Sequence, residues 1–237
     1  MKLKRIFAAV LATAMLLSFA GCANKDTQGD SSEPAGEQTT EERTTEPQTN
    51  EDGSLVKPKN AVSVSDDVKI KTYSGTSLIE IGNRVMEPYG NAYKNMKAYA
   101  DALNRLKAEM PDTKAYCLMA PTAIEFYAPS KYNTGVSKSQ YEGMCYIYEQ
   151  LKDITPVNAY AEMAAHTDEY LYFRSDHHWT TLGAYYAYRT FAKVAGFTPV
   201  DKNTLQTGKL SPFLGLFYKD TKSTALSNDP DYVEYFI

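Results

Sequence analysis

Beyond residue 90, the apolar positions of the chain fall into blocks that alternate between helical and strand spacing. Met96, Tyr99, Leu103, Leu106 and Met110 recur at intervals of three and four, one face of a helix that Asn91 can cap and that ends before Pro111. Residues 115–120 form a short apolar run between Asp112 and Pro121, the pattern of a buried parallel strand. A second helix is expected over 137–151, interrupted by Gly143, then an extended link over 155–158 and a short helix over 160–166. Another apolar run, 171–173, leads to Thr180, which is placed to cap a helix over 181–195 with Gly196 just past its end. Upstream, residues 62–70 and 78–81 alternate around Ser74-Gly75-Thr76 and predict a hairpin. Helices alternating with strands predict an α/β layered fold with a mainly parallel sheet. Sites in such sheets form where loops leave the carboxyl ends of strands. Two loops qualify: one with Pro121, Thr122 and Glu125, and the stretch that follows 171–173.

The first quarter of the chain has a different pattern. Lys2, Lys4 and Arg5 precede an uncharged run over 6–19, too short to span a bilayer comfortably, which predicts a secretory leader over 1–21. Small residues before Cys22 resemble the bacterial lipobox, in which the thiol receives a diacylglycerol, so Cys22 is the expected lipidation site. Residues 22–58 hold many acids with Ser, Thr, Gln and Pro and almost no apolar residue. They cannot bury enough surface to offset their ordering entropy and predict a disordered tether, leaving 59–237 as the domain. The expected location is the extracytoplasmic face of a membrane. Loss of Lys2, Lys4 and Arg5 with the leader lowers 25 Lys and Arg to 22 against 29 Asp and Glu, a net of about −7. That acidity excludes a nucleic-acid partner, which needs a basic footprint. Cys117 and Cys145 permit a disulfide or two buried thiols, and neither has a cationic neighbour that would mark a nucleophile.

Candidate chemistry concentrates in Arg174-Ser175-Asp176-His177-His178-Trp179, which holds two of the three histidines and the only tryptophan. A carboxylate that fixes an imidazole's tautomer makes it a useful base. Side chains two apart share a side of extended backbone, so Asp176 and His178 are the expected pair, with His177 pointing away. Their direct contact requires a turn. A metal site of Asp176, His177, His178 and His166 is disfavoured, because neighbouring histidines project oppositely in extended backbone; no metal or cofactor is expected. Arg174 could bind an anionic sugar or oxyanion, Trp179 could stack on a sugar or anchor the loop, and Thr122 and Glu125 could line the pocket. Tyr232 to the final Ile237 reads like a strand being entered, which raises the expectation of a longer protein.

The run Tyr172-Phe173-Arg174-Ser175-Asp176-His177-His178-Trp179-Thr180, with Gly183-Ala184-Tyr185-Tyr186-Ala187-Tyr188 after it, resembles the signature of the DHHW family of exported bacterial proteins. The likeness extends over 60–237 and includes Ala120-Pro121-Thr122-Ala123-Ile124-Glu125-Phe126-Tyr127. That family is similar to the SGNH-hydrolase-like proteins that O-acetylate alginate and other surface polysaccharides. The resemblance implies a three-layer αβα, SGNH-hydrolase-like domain and a catalytic pair at Asp176 and His178. It further implies an acyl-ester hydrolase or O-acetyltransferase acting on acetylated cell-envelope polysaccharide, to which the lipobox-like pattern at Cys22 adds the expectation of a lipid anchor. In those relatives a Gly-Asp-Ser type nucleophile follows the Asp-x-His pair. After Trp179 only Ser211, Ser223 and Ser227 are available, all in loop-like sequence, so little turnover is expected from these 237 residues. The alternative is a noncatalytic lipoprotein whose aromatic side chains bind cell-wall glycan.

Overall fold

The computed structural model describes residues 57–134 and 137–237, without the side chains of Asn133 and Thr134, all within one compact unit. The expected leader, Cys22 and nearly all of the tether lie outside the described residues. Among the described residues, no helix is long and apolar enough to cross a membrane.

Strands β1 (Ile70–Thr72), β2 (Ile79–Ile81) and β3 (Arg84–Met86) form an antiparallel meander, turned at Gly75 and Gly82, both at positive φ. The expected hairpin is present, but its first strand lies at Ile70–Thr72 and not over 62–70, and β3 extends it. β2 is buried at all three positions, so its pattern lacks the alternation of a one-sided strand. Helix α1 (Tyr93–Glu109) follows. Asn91 does not cap it: the N-cap is Ala92, with no side-chain hydrogen bond. Met96 and Ala100 are buried, whereas Tyr99, Leu106 and Met110 of the same stripe are exposed.

β4 (Ala115–Leu118) and β5 (Ile154–Val157) pair in parallel, joined through α2 (Ala123–Tyr127), α3 (Ser130–Thr134) and α4 (Gln140–Gln150). Gly143 does not interrupt α4 but lets it approach α1: a Cβ there would stand 2.8 Å from Met96 Cε. Next come α5 (Tyr160–Ala164) and α6 (Thr181–Ala195). Thr180 Oγ1 accepts from Gly183 N at 3.2 Å, and Gly196 closes the helix in the left-handed region at φ 84°. Strand β6 (Thr207–Phe213) then pairs antiparallel with β7 (Asp231–Phe236) around the short helices α7 (Leu216–Thr221) and α8 (Thr224–Asn228).

The fold is mixed α/β, and among the described residues the strands form three small sheets instead of one mainly parallel sheet: β4 and β5 pair in parallel, and the other two sheets are antiparallel. The run 171–173 makes no sheet strand, only an isolated antiparallel bridge of Tyr172 with Trp179. The apolar run misled because it is buried for a different reason: Leu171 and Tyr172 pack in the main core with Phe126, Tyr160 and Met163. Cys117 and Cys145 are free thiols.

Candidate functional site

The site is a tight bend inside a hairpin-like loop. Backbone bonds from Thr180 N to Leu171 O (2.8 Å) and from Phe173 N to His178 O (3.3 Å) close its two arms. Gly183, in the first turn of α6, makes the closure possible, since a Cβ there would lie 2.3 Å from Leu171 O. The meander holds the outgoing arm: Val85 N donates to Arg174 O (2.9 Å), and Arg84 Nη1 donates to the carbonyls of Tyr172 (3.2 Å) and Phe173 (3.0 Å). Tyr172 OH reaches Pro121 O at 2.6 Å and ties the loop to the one after β4.

The bend supplies the turn that Asp176 and His178 require. Asp176 Oδ1 lies 2.6 Å from His178 Nδ1 and accepts from His178 N at 3.0 Å; Oδ2 accepts from Leu216 N at 2.9 Å. Burial pushes the Asp176 carboxyl up, but the donors from Leu216 and His178 outweigh it, and the net shift is below the usual carboxylate value. An ionised carboxylate only accepts, so His178 Nδ1 carries a proton, and the tautomer that this selects has its lone pair on Nε2. Asp176 is buried while the His178 side chain is 65 % exposed, and no described residue hydrogen-bonds Nε2. The arrangement is an oriented base facing solvent. Gly215 is packed against the carboxylate, where a Cβ would fall 2.4 Å from Asp176 Cβ.

His177 corrects the sequence expectation. It does not point away: its ring centroid is 3.9 Å from that of His178, and its Nδ1 is 3.6 Å from the same Asp176 Oδ1. Two-residue periodicity fails because the backbone bends here instead of extending. His177 also lines a cavity of about 240 Å³ together with Thr122, Met86, Tyr89 and Phe217. Thr122 therefore reaches the pocket side, while also exchanging hydrogen bonds with Gln140 at 2.9 and 2.8 Å.

Glu125 does not line that cavity. It is buried 1 % exposed and accepts from Gln140 N (2.8 Å), Tyr160 OH (2.9 Å) and Lys57 Nζ (2.9 Å), which makes it a structural carboxylate. Arg174 is likewise turned inward. It donates through Nε to Asp231 (3.0 Å), through Nη1 to the Asp229 carboxylate and through Nη2 to the carbonyls of Asp229 and Pro230, leaving little for a substrate anion. Trp179 is half-buried against the main core and bridges to Tyr172, the anchoring role rather than a stacking platform. His166 stands apart from the bend, stacked on Tyr186 and 2.6 Å from Glu169.

Sequence reasoning missed Asp231. Its carboxylate accepts from Arg174 N (3.0 Å), Ser175 N (2.8 Å), Ser175 Oγ (2.5 Å), Arg174 Nε (3.0 Å) and Tyr170 OH (2.6 Å). Ser175 Oγ in turn accepts from Gly215 N at 3.0 Å, so one buried hub fixes both segments that hold Asp176. It also removes Ser175 as a nucleophile. Ser223 Oγ caps α8 and Ser227 Oγ donates to Thr224 O, so both of those serines have structural roles. An aspartate at the start of an apolar strand near the end of the chain carries no local sequence signal for such a role.

A family model described as DHHW protein matches residues 46–236. Among solved structures, a DHHW family protein from Eubacterium siraeum is 30 % identical with a TM-score of 0.65, covering 72 % of this chain and 56 % of that one. Bacillus cereus PatB1, solved with a sulfonyl adduct, aligns at 15 % identity and TM-score 0.52 over 71 % of this chain and 57 % of its own. The O-acetyltransferase domain of Pseudomonas putida AlgJ aligns at 15 % identity and TM-score 0.46, over 72 % and 65 %. The chain thus spans little more than half the length of the first two. No curated protein matches the chain.

Proposed function

The chain belongs to the DHHW family, and from that premise we propose that it carries the acid/base half of an SGNH-like acyl-ester hydrolase or O-acetyltransferase. The observation that carries the reading is the buried Asp176 carboxylate at 2.6 Å from Nδ1 of an exposed His178 whose Nε2 is free. In this role Asp176 fixes the tautomer and stabilises the imidazolium. His178 Nε2 takes the proton of an attacking hydroxyl and returns it to the leaving alcohol. Thr122 and His177 border the adjacent cavity, the place for the acyl group or sugar. The substrate of this reading is an acetylated cell-envelope polysaccharide. The protein is held at the extracytoplasmic face through a lipid on Cys22, as the leader and lipobox-like pattern suggest. Ser175, Ser223 and Ser227 are committed to structural hydrogen bonds, whereas Ser211 stands exposed on β6, and this reading assigns the attacking hydroxyl to none of the described residues.

Acetyl release from a model ester by the whole protein tests the assignment. We expect His178→Ala to lower it by about 10²-fold or more, the usual worth of a positioned general base. Equal rates in the variant would sink the reading. Glycan binding that survives loss of both Asp176 and His178, with no ester turnover, would replace it with a noncatalytic binding role.

A further inference from the structure

The bend that joins Asp176 to His178 also brings a third donor to the same point. One ligand atom each of Asp176, His177 and His178 lies within 4.8 Å of the others, on three consecutive residues. The measured separations from Asp176 Oδ1 are 2.6 Å to His178 Nδ1 and 3.6 Å to His177 Nδ1. An ion with nitrogen and oxygen ligands at about 2.0–2.2 Å in tetrahedral geometry needs its donors about 3.4 Å apart. His177 already stands near that spacing, and His178 is closer only because a proton bridges it to the carboxylate.

We infer that Asp176 Oδ1, His177 Nδ1 and His178 Nδ1 form a binding site for one divalent transition-metal ion of the zinc class. Two imidazoles and one carboxylate are a borderline donor set. They suit zinc, copper or nickel and disfavour calcium and magnesium, which require oxygen. The site is open on one side: the His177 and His178 side chains are 42 % and 65 % exposed, so the His178 ring can swing outward by about 0.8 Å to reach the tetrahedral spacing, and water can complete the coordination. It is rigid on the other. Leu216 N holds Asp176 Oδ2 at 2.9 Å and His178 N donates to Oδ1 at 3.0 Å, which fixes the carboxylate with a further lone pair of Oδ1 for the ion, and Gly215 packs against the carboxylate from behind. An outer hydrogen bond of this kind is what orients a ligating carboxylate.

The ion and the base exclude one another. In the metal-free pair the hydrogen bond to the carboxylate puts a proton on His178 Nδ1. When Nδ1 gives its lone pair to the metal instead, the ring's proton sits on Nε2, which can then no longer accept one. This consequence rests on the proposed role of His178, whereas the binding itself does not.

Zinc titration of the untagged chain in competition with a chromophoric chelator tests the site, with imidazole ¹⁵N shifts as a second reading. We expect one equivalent bound, shifts at His177 Nδ1 and His178 Nδ1, and at least about tenfold weaker binding in His177→Ala, a loss that altered outer contacts alone can bring. His166→Ala should bind as the native chain does, and calcium should not compete. His177 is exposed, so its loss does not threaten the fold. Absence of stoichiometric zinc, or equal affinity in native, His177→Ala and His178→Ala chains, would overturn the site. Zinc bound at the two Nδ1 atoms with no effect on ester turnover by the whole protein would leave the site standing and remove the base role.

Discussion

Asp231 and Asp176 sit at the two neighbouring hubs of one short strap, and their difference separates structure from chemistry. Asp231 is 1 % exposed and receives five hydrogen bonds, all from groups of the protein, so no capacity is left for anything else. Asp176 receives backbone donors from Leu216 and His178, but its side-chain partners are the exposed imidazoles of His178 and, at 3.6 Å, His177. A carboxylate satisfied wholly from within holds a fold. One that passes its influence to an exposed ring can do chemistry. Glu125 belongs with the first kind, since Lys57, Gln140 and Tyr160 surround it.

The strongest way to break that distinction is to remove each acid in turn. Asp231→Ala leaves Arg174 and the Ser175 amide without their buried acceptor, and we expect a loss of about 3–5 kcal/mol in urea unfolding. Asp176→Ala should cost less, about 1–2 kcal/mol, because its His178 partner regains water. Equal losses would erase the distinction. A comparable effect is expected at Gly215→Ala, where the new Cβ must push against Asp176; overpacking of this kind costs about 1–3 kcal/mol. Its signature should be a disturbed His178 resonance, which Gly196→Ala, remote from the bend, should leave in place.

Acid should act on the structural hub. Burial raises the Asp231 carboxyl, yet the hydrogen bonds from Ser175, Tyr170 and Arg174 outweigh it and hold the folded value below the ordinary one. A depressed folded value means that the stabilisation is complete above the unfolded value of about 4. It is lost as pH falls below that, toward the folded value. Unfolding free energy measured from pH 6 down to 2 should therefore fall more steeply in the native chain than in Asp231→Asn. The smallest change is Thr180→Ala, which removes the α6 cap and should cost about 1 kcal/mol without moving the Asp176–His178 pair.

Much of this was legible in the chain's pattern. Thr180, Thr181–Ala195 and Gly196 announced α6 with its bounds, because cap, apolar period and terminal glycine agreed. The pairing of Asp176 with His178 was legible from spacing and from family likeness. The direction of His177 was not, since it depends on a bend that the backbone of Val85 and Leu216 imposes from distant segments. Arg174 was misread for the same reason: its acceptors, Asp229 and Asp231, lie 55 and 57 residues away. Local pattern carries no information on which remote carboxylate will close over a loop.

The central claim is that Asp176 fixes the His178 tautomer, with the proton on Nδ1 and Nε2 free. Two-bond ¹H–¹⁵N correlation of the His178 imidazole at pH 8 measures this directly. The account predicts the Nδ1-protonated tautomer in the native chain and a shift toward the Nε2-protonated form, which predominates in free imidazole side chains, in Asp176→Ala. A native ring protonated on Nε2, or the same tautomer ratio in both chains, would contradict it.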